Sequence, residues 1–220
     1  MNILFLILAR GGSKRLKNKN VRVLGDLPLI EWTINHAKML SKINNIVVST
    51  DDPKIMEISK RAGVNCPRLR PKELAKDETS TIDVVLYEIE CFEREFSKLD
   101  GVFLLQPTTP FRELKSTSDA LSIFKEKRSS VISVNNIKNE NKNTYIIKNN
   151  LLQKLNHSKN YKKNEDKYYL SGSFYISTIE NLKKRKSFFS PNTIPYVINN
   201  KKQSIDIDYI EDFEEAEKYI

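Results

Sequence analysis

Two short stretches near opposite ends of the chain combine residue types suited to phosphate and to a hard cation. The first, Ala9-Arg10-Gly11-Gly12-Ser13-Lys14-Arg15, follows an apolar run and leads to Lys19-Asn20. Glycines let backbone N–H groups converge on phosphate oxygens without Cβ obstruction, and Arg10 and Lys19 can neutralise charge on a leaving polyphosphate. The spacing is neither a Walker loop nor GxGxxG, and an ordinary turn with solvated lysines would read similarly. Its place at the carboxyl end of a candidate strand, where open α/β sheets receive ligands, favours the functional reading.

The second stretch is Ser204-Ile205-Asp206-Ile207-Asp208. In an extended segment this alternation directs both carboxylates to one side. Such a pair suits Mg²⁺, which takes oxygen ligands and often shares them between one or two carboxylates and substrate phosphates. The acidic residues that follow, Glu211, Asp212, Glu214, Glu215 and Glu217, also fit a solvated helix face. Two polar turns after candidate strands, Thr50-Asp51-Asp52 and Gln106-Pro107-Thr108-Thr109-Pro110, can line a pocket, although Asp51 and Asp52 would equally cap the next helix. His36 and His157 have no nucleophile motif around them and read as core or surface residues.

These residues need a scaffold, and the first 135 residues supply its pattern. Short apolar runs at 3–8, 46–49, 102–105 and 131–134 alternate with amphipathic stretches, as expected of a parallel sheet covered by helices on both faces. The spacing predicts a helix over 81–96, with Ile82, Val85, Leu86, Ile89, Phe92 and Phe96 on one face. Pro28 and Pro53 can open helices running to Met39 and Arg61, because a first helical turn does not need the missing amide. A strand is expected at 173–177 and a last helix at 210–219. Between them, 135–168 is polar and lysine-rich with weak alternation at 145–147 and 151–155, which fits either a protruding β-lobe or disorder.

The chain has 220 residues, 39% of them hydrophobic, enough for one domain with a full core. No run of eighteen apolar residues occurs, so a soluble, cytoplasmic protein is expected, with no membrane partner. Cys66 and Cys91 match no metal spacing and are expected to be reduced and structural. The net charge of +9 lies largely in lysine- and asparagine-rich stretches without periodic aromatics, which favours a solvated basic surface over nucleic-acid binding.

Taken in order, ARGGSKRLKNKN, VVSTDD, RPKELAKDETST, LLQPTTPFR, SGSFYI and SIDIDYIEDFEEAE resemble the N-acylneuraminate cytidylyltransferase family over nearly the whole chain. The resemblance implies an α/β, nucleotide-diphospho-sugar-transferase-like fold with a small dimerisation lobe inserted at about 135–168, and a homodimer. It also implies an enzyme that joins CMP from CTP to a nonulosonic acid with Mg²⁺ and releases pyrophosphate. On it, Arg10, Gly11, Gly12, Ser13, Lys19, Asn20, Arg70, Ser80 and Thr81 match CTP-binding positions, and Asp206 and Asp208 match metal-binding ones. Arg10, Lys19 and Asp208 would carry catalysis, while Gln106, Tyr175, Phe188 and Phe189 would meet the sugar.

The chain departs from the family where members carry proline and glycine, having Lys17-Asn18, and where some carry an arginine for the sugar carboxylate, reading Lys167-Tyr168-Tyr169. Lys142, Lys162, Lys163 or a partner subunit's residue can replace that arginine. Alternatives are a legionaminate, pseudaminate or 3-deoxy-manno-octulosonate substrate, a degenerate nucleotide-binding subunit, and a basic RNA-binding protein.

Overall fold

The computed structural model describes residues 1–137, 143–155 and 166–220. Along the chain lie β1 (Ile3–Leu8), β2 (Val23–Leu24), β3 (Leu27–Pro28), α1 (Leu29–Leu40), β4 (Ile46–Ser49), α2 (Pro53–Arg61), α3 (Thr81–Glu95) and β5 (Gly101–Leu105). The second half adds α4 (Leu114–Lys127), β6 (Val131–Ile137), β7 (Tyr145–Lys148), β8 (Leu151–Lys154), β9 (Lys167–Thr178), α5 (Ile179–Arg185), β10 (Ile194–Ile198) and α6 (Ile210–Glu217). The central sheet runs β10-β6-β9-β5-β1-β4, and only β9 is antiparallel to its neighbours on this path. The expected mainly parallel α/β sheet is therefore present, and the carboxyl ends of β1, β4 and β5 share one edge.

Strand periodicity explains the layers. On β1, Ile3, Phe5 and Ile7 pack with Ile30 and Ile34 of α1, Ile55 of α2 and Phe124 of α4. Leu4 and Leu6 point to the other face, onto Val85, Ile89 and Phe92 of α3 and Leu182 of α5. Truncating one of these fully buried side chains to alanine typically costs about 2–5 kcal/mol. A third cluster joins Leu16, Leu24, Leu29 and Phe111 to Ile205, Ile207 and Phe213. It anchors the loop after β1 and the segment carrying Asp206 and Asp208 to the same body.

Helix boundaries follow local chemistry. Asp52 caps α2 through Lys54 N–H at 2.8 Å, with Pro53 in the first turn, and Ser80 caps α3 through Asp83 N–H at 3.2 Å. Pro28 ends β3 and immediately precedes α1. Strand β9 is far longer than the 173–177 segment expected, because its first half pairs with β6 while its second half lies between β5 and β6.

Of the segment expected to form a lobe, Asn135 to Ile137 belong to β6, Lys167 and Tyr168 to β9, and β7 and β8 form an antiparallel pair. Buried Tyr145, Ile146, Leu152 and Leu155 bring that pair against the domain's own core. His157, Lys142, Lys162 and Lys163 lie outside the described residues. Among the described residues no helix is long and apolar enough to cross a membrane. Both cysteines are free and buried, and burial pushes the Cys66 thiol up to about 11.

His36 is a core residue of α1, only 3% exposed, with Nε2 lying 2.9 Å from Thr117 Oγ1 on α4. The Thr117 hydroxyl faces the Glu113 and Leu114 carbonyls and donates there, so it accepts from a neutral imidazole N–H. Burial, assisted by nearby Arg112, holds the His36 pKa down to about 3. The unfolded chain, with an ordinary histidine near pH 6.5, takes up the proton first as pH falls. His36 therefore contributes its full stability above about pH 6.5 and loses it toward pH 3, with a slope approaching about 1.4 kcal/mol per pH unit. Urea unfolding midpoints measured from pH 7 to pH 4 should fall, and His36→Gln should flatten the fall within that window. An unchanged pH dependence in the variant would show that acid sensitivity resides elsewhere.

Candidate active site

Three neighbouring cavities open along the carboxyl edge of β1, β4 and β5. One, about 300 Å³, is lined by the loop after β1 together with Asp206 and Asp208. The next, about 290 Å³, is walled by Leu8, Leu104, Arg70, Thr79 and Thr81. The last, about 330 Å³, is walled by Tyr175, Phe188, Phe189, Ser80 and Thr81. Arg10 lines the first two, and Gln106 lines all three. A larger cavity of about 440 Å³, around Trp32 and Phe111 beneath α1, contains none of the phosphate or metal candidates.

In the first cavity, cations and carboxylates alternate. Arg10 reaches Asp77 at 2.6 Å, and Lys14 pairs with the same carboxylate. Asp208 receives Lys19 at 2.8 Å and Arg15 at 2.9 Å, and Lys19 also donates to the Ile207 carbonyl at 2.8 Å. Buried Asn20 donates to the Arg10 carbonyl at 3.0 Å, fixing the loop's return. Asn18 takes φ 58°, a left-handed conformation that asparagine adopts more readily than most residues. Here Lys17-Asn18 thus makes the turn for which a glycine is the usual choice.

Gly11 and Gly12 are not among the lining residues of these cavities. The Gly11 N–H is bound by Asp51 at 2.9 Å, and a Cβ there would fall 2.8 Å from Asp52. Gly11 is needed for close approach of two loops, which assigns Asp51 to holding the β1 loop while Asp52 caps α2. Ser13 lines the first cavity beside Lys14 and Lys19.

Asp206 and Asp208 are brought together although their segment is not a strand. Ile205 and Ile207 are buried in the third core cluster, so the intervening carboxylates face the cavity. Their surroundings differ. Asp208 meets Lys19 and Arg15, whereas Asp206 opens to the cavity at the junction, near Gly172 and Gln106. Asp206 is reached by water through the cavity, yet partial desolvation first, then neighbouring Asp208, raises its carboxyl above the usual range, with a hydrogen bond from Thr108 and the charge of Lys19 opposing. No cluster of three or more His, Cys, Asp or Glu residues suited to a metal occurs among the described residues. Two all-oxygen carboxylates beside a cationic phosphate-type cavity fit Mg²⁺ sharing its shell with substrate oxygens and water.

The junction is built by an irregularity in β9. Opposite β6, the register jumps between the Ile132–Tyr175 and Val134–Leu170 pairs, leaving Ser171, Gly172, Ser173 and Phe174 against Ser133. Ser133 Oγ pins this bulge by accepting from Phe174 N–H at 2.9 Å and from Ser171 Oγ at 2.6 Å. Gly172 has φ +74°, and a Cβ on it would lie 3.1 Å from Gln106 Oε1 and 3.3 Å from Asp206 Oδ2. Buried Arg112 binds the next carbonyl, that of Ser173, at 2.8 Å and also holds the Gln106 carbonyl.

Arg70 forms the back of the second cavity, 7% exposed, donating to Ser49 Oγ at 3.0 Å and to the Ser49 carbonyl at 2.6 Å. Thr81 lines the second and third cavities, while Ser80 lines the third. In the third, Tyr175 lies against Phe188 with ring centroids 5.7 Å apart, and Tyr145 of β7 stacks behind Phe189 at 5.5 Å. Burial, then Asp206, raises the Tyr175 phenol, which is therefore neutral.

Sequence patterns singled out Gln106, Arg10, Lys19, Asp206 and Asp208 as chemistry, but not Asp77, Arg112 or Gly172. Thr108 was legible as part of a polar turn that can line a pocket, whereas Arg112 and Gly172 were visible only within LLQPTTPFR and SGSFYI, and Asp77 within RPKELAKDETST.

A family model described as cytidylyltransferase matches residues 4–220. The chain is 37% identical to the CMP-N,N'-diacetyllegionaminic acid synthase of Legionella pneumophila over 99% of this chain and 96% of that protein. It is 31% identical to the N-acylneuraminate cytidylyltransferase of Escherichia coli, covering 97% of this chain but 51% of that longer protein. Among solved structures, a CMP:2-keto-3-deoxy-manno-octonic acid synthetase complexed with CTP has a TM-score of 0.75 at 14% identity, over 100% of this chain and 98% of the other, a likeness of fold alone. The chain belongs to the cytidylyltransferase family that includes the N-acylneuraminate enzymes.

Proposed function

We propose that this enzyme transfers CMP from CTP to the anomeric hydroxyl of an N-acylneuraminate-type nonulosonic acid, releasing pyrophosphate. The observation that carries this reading is the position of Gln106, which lines a cationic cavity, a cavity backed by Arg70 and an aromatic cavity at once. A triphosphate in the first, a nucleoside in the second and an acyl sugar in the third would meet at that residue. The identity to the Legionella protein favours a diacetylated, legionaminate-type acid as the second reading.

In the proposed reaction the sugar hydroxyl attacks the α-phosphorus in line, forming a new P–O bond as the bond to the β-phosphate breaks and releasing the hydroxyl proton to solvent. Arg10, Lys14 and Lys19 would take the charge of the departing pyrophosphate, and Gln106 would orient the sugar beside the reacting centre. Asp206 and Asp208 would hold Mg²⁺, which when bound supplies charge neutralisation at the phosphates. Aromatic faces of Tyr175, Phe188 and Phe189 suit an N-acyl methyl. The enzyme is further proposed to work as a cytoplasmic homodimer.

Pyrophosphate release, measured with CTP across a panel of nonulosonic acids, tests the reading, and silence with every acid would overturn it. Asp206→Asn and Asp208→Asn should each lower turnover by a factor on the order of 10² with the fold retained. Normal turnover at saturating Mg²⁺ would remove them from the metal role. Gly172→Ala should cost about 1 kcal/mol of stability from its positive φ and reduce turnover at least several-fold by pushing Gln106 and Asp206 apart. Wild-type turnover in that variant would show that the close approach is not needed. Sedimentation of the purified chain should give a dimer, and a monomer at assay concentration with full activity would refute the homodimer.

A further inference from the structure

We propose that Glu88 on α3 is a positioning residue that holds the Arg70 guanidinium toward the nucleoside cavity through the Ser49 hydroxyl. This deepens the proposed function and rests on its placing of the nucleoside in the second cavity. Glu88 is only 4% exposed and lines none of the three cavities, so any effect on substrate passes through another residue. Thr81 and Val84 of α3 line the second cavity, and Glu88 lies one turn further along the same helix face. Its helix neighbours Val84, Val85, Ile89 and Phe92 are buried and apolar. A charged group is stable in such a place only where partners compensate for the water it loses.

Those partners lie on two sides. Outward, Glu88 Oε2 lies 3.5 Å from Arg68 Nη1, and Arg68 is bound to Glu95 as well. Inward, Glu88 is hydrogen-bonded by the side chain of Ser49, a buried residue at the end of β4. The same Ser49 Oγ accepts from Arg70 Nε at 3.0 Å, and the Ser49 carbonyl accepts from Arg70 Nη2 at 2.6 Å. A hydroxyl has one proton to give, and with Arg70 donating to its oxygen that proton goes to Glu88. Burial raises the Glu88 carboxyl above the usual range, and the Ser49 hydrogen bond, then the charges of Arg68 and Arg70, oppose it.

Arg70 needs this support. Both of its bound nitrogens meet neutral acceptors, so burial lowers its pKa, while the charges of Asp51 and Glu88 hold it up. Asp51 acts on it through space and gives a hydrogen bond acceptor to Gly11 N–H instead. Glu88 acts through a chain of hydrogen bonds, which sets direction as well as charge. With Nε and Nη2 taken by Ser49, Nη1 is the guanidinium nitrogen without a partner among the described residues, and the rigid fork fixes where it points.

The test measures CTP binding to the full chain by calorimetry with Mg²⁺ present, and pyrophosphate release with N-acetylneuraminic and diacetyllegionaminic acids. Glu88→Gln keeps the size and removes the charge. It should raise the CTP Kd about tenfold, while KM for the acid and kcat at saturating CTP stay within twofold. Ser49→Ala should give a similar loss. The double variant should bind CTP no more than twofold more weakly than either single one, because both substitutions break one chain of contacts. Should Glu88→Gln not fold, Glu88→Asp takes its place with the same expected loss, since it keeps the charge but falls one methylene short of Ser49. An unchanged CTP Kd in the Glu88 variant, losses that multiply in the double variant, or an equal rise in KM for the acid would overturn the assignment and leave the enzyme's function standing. If the wild type does not bind CTP at all, the proposed function fails with it.

Discussion

A buried guanidinium holds the site in register. Arg112 donates to the Ser173 carbonyl at 2.8 Å, to Thr33 Oγ1 at 3.0 Å, to Thr109 Oγ1 at 2.7 Å and to the Gln106 carbonyl. These acceptors come from the bulge of β9, from α1 and from the loop after β5, so one side chain fixes the three pieces around the junction. All are neutral, and burial pushes the group's pKa down to about 9, with the Asp206 charge opposing. A buried cation is costly unless its donors are satisfied. Arginine's rigid fork can meet several acceptors at once, whereas a lysine ammonium has three donors on a flexible stem and would leave part of this set unbound.

The charged loops outside that clamp are held more loosely, and this difference suits exchange of a ligand. Asp77 and Asp208 each receive two cations of the β1 loop, so part of that loop's positive charge is offset by the protein's own carboxylates. The Lys14 and Arg15 pairs are well exposed, where water and salt leave an ion pair little net strength, whereas Lys19 is only 11% exposed. A polyphosphate could take the place of the carboxylates on these cations. Ordering of the loop against α2 through Asp51 and its anchoring through Leu16 persist during such an exchange, since neither uses the exchanging charges.

Local sequence determined much of the scaffold. The apolar runs that must be buried on both faces located β1 and β4 at their observed bounds, and helical periodicity located α3 to within one residue of its end. The alternation of Ile205, Asp206, Ile207 and Asp208 placed both carboxylates on one side, because alternate burial needs only an extended backbone and not a strand partner. Glycine, arginine and lysine after the first strand, with the ordered motifs along the chain, were enough to indicate phosphate chemistry and the family.

Tertiary structure alone decided which of these groups cooperate. Helix α4 is more than half polar in sequence and takes its identity from packing on the sheet. The β9 bulge depends on Ser133, almost forty residues earlier in the chain, and Gly172 is required both by its positive φ in that bulge and by the close approach of Gln106 and Asp206. Gly11 was legible as a glycine near phosphate, yet its amide belongs to Asp51 on another loop. Composition and spacing report what a segment can do with its own backbone. Partners distant in sequence are chosen by the sheet order and by burial, which no local pattern contains.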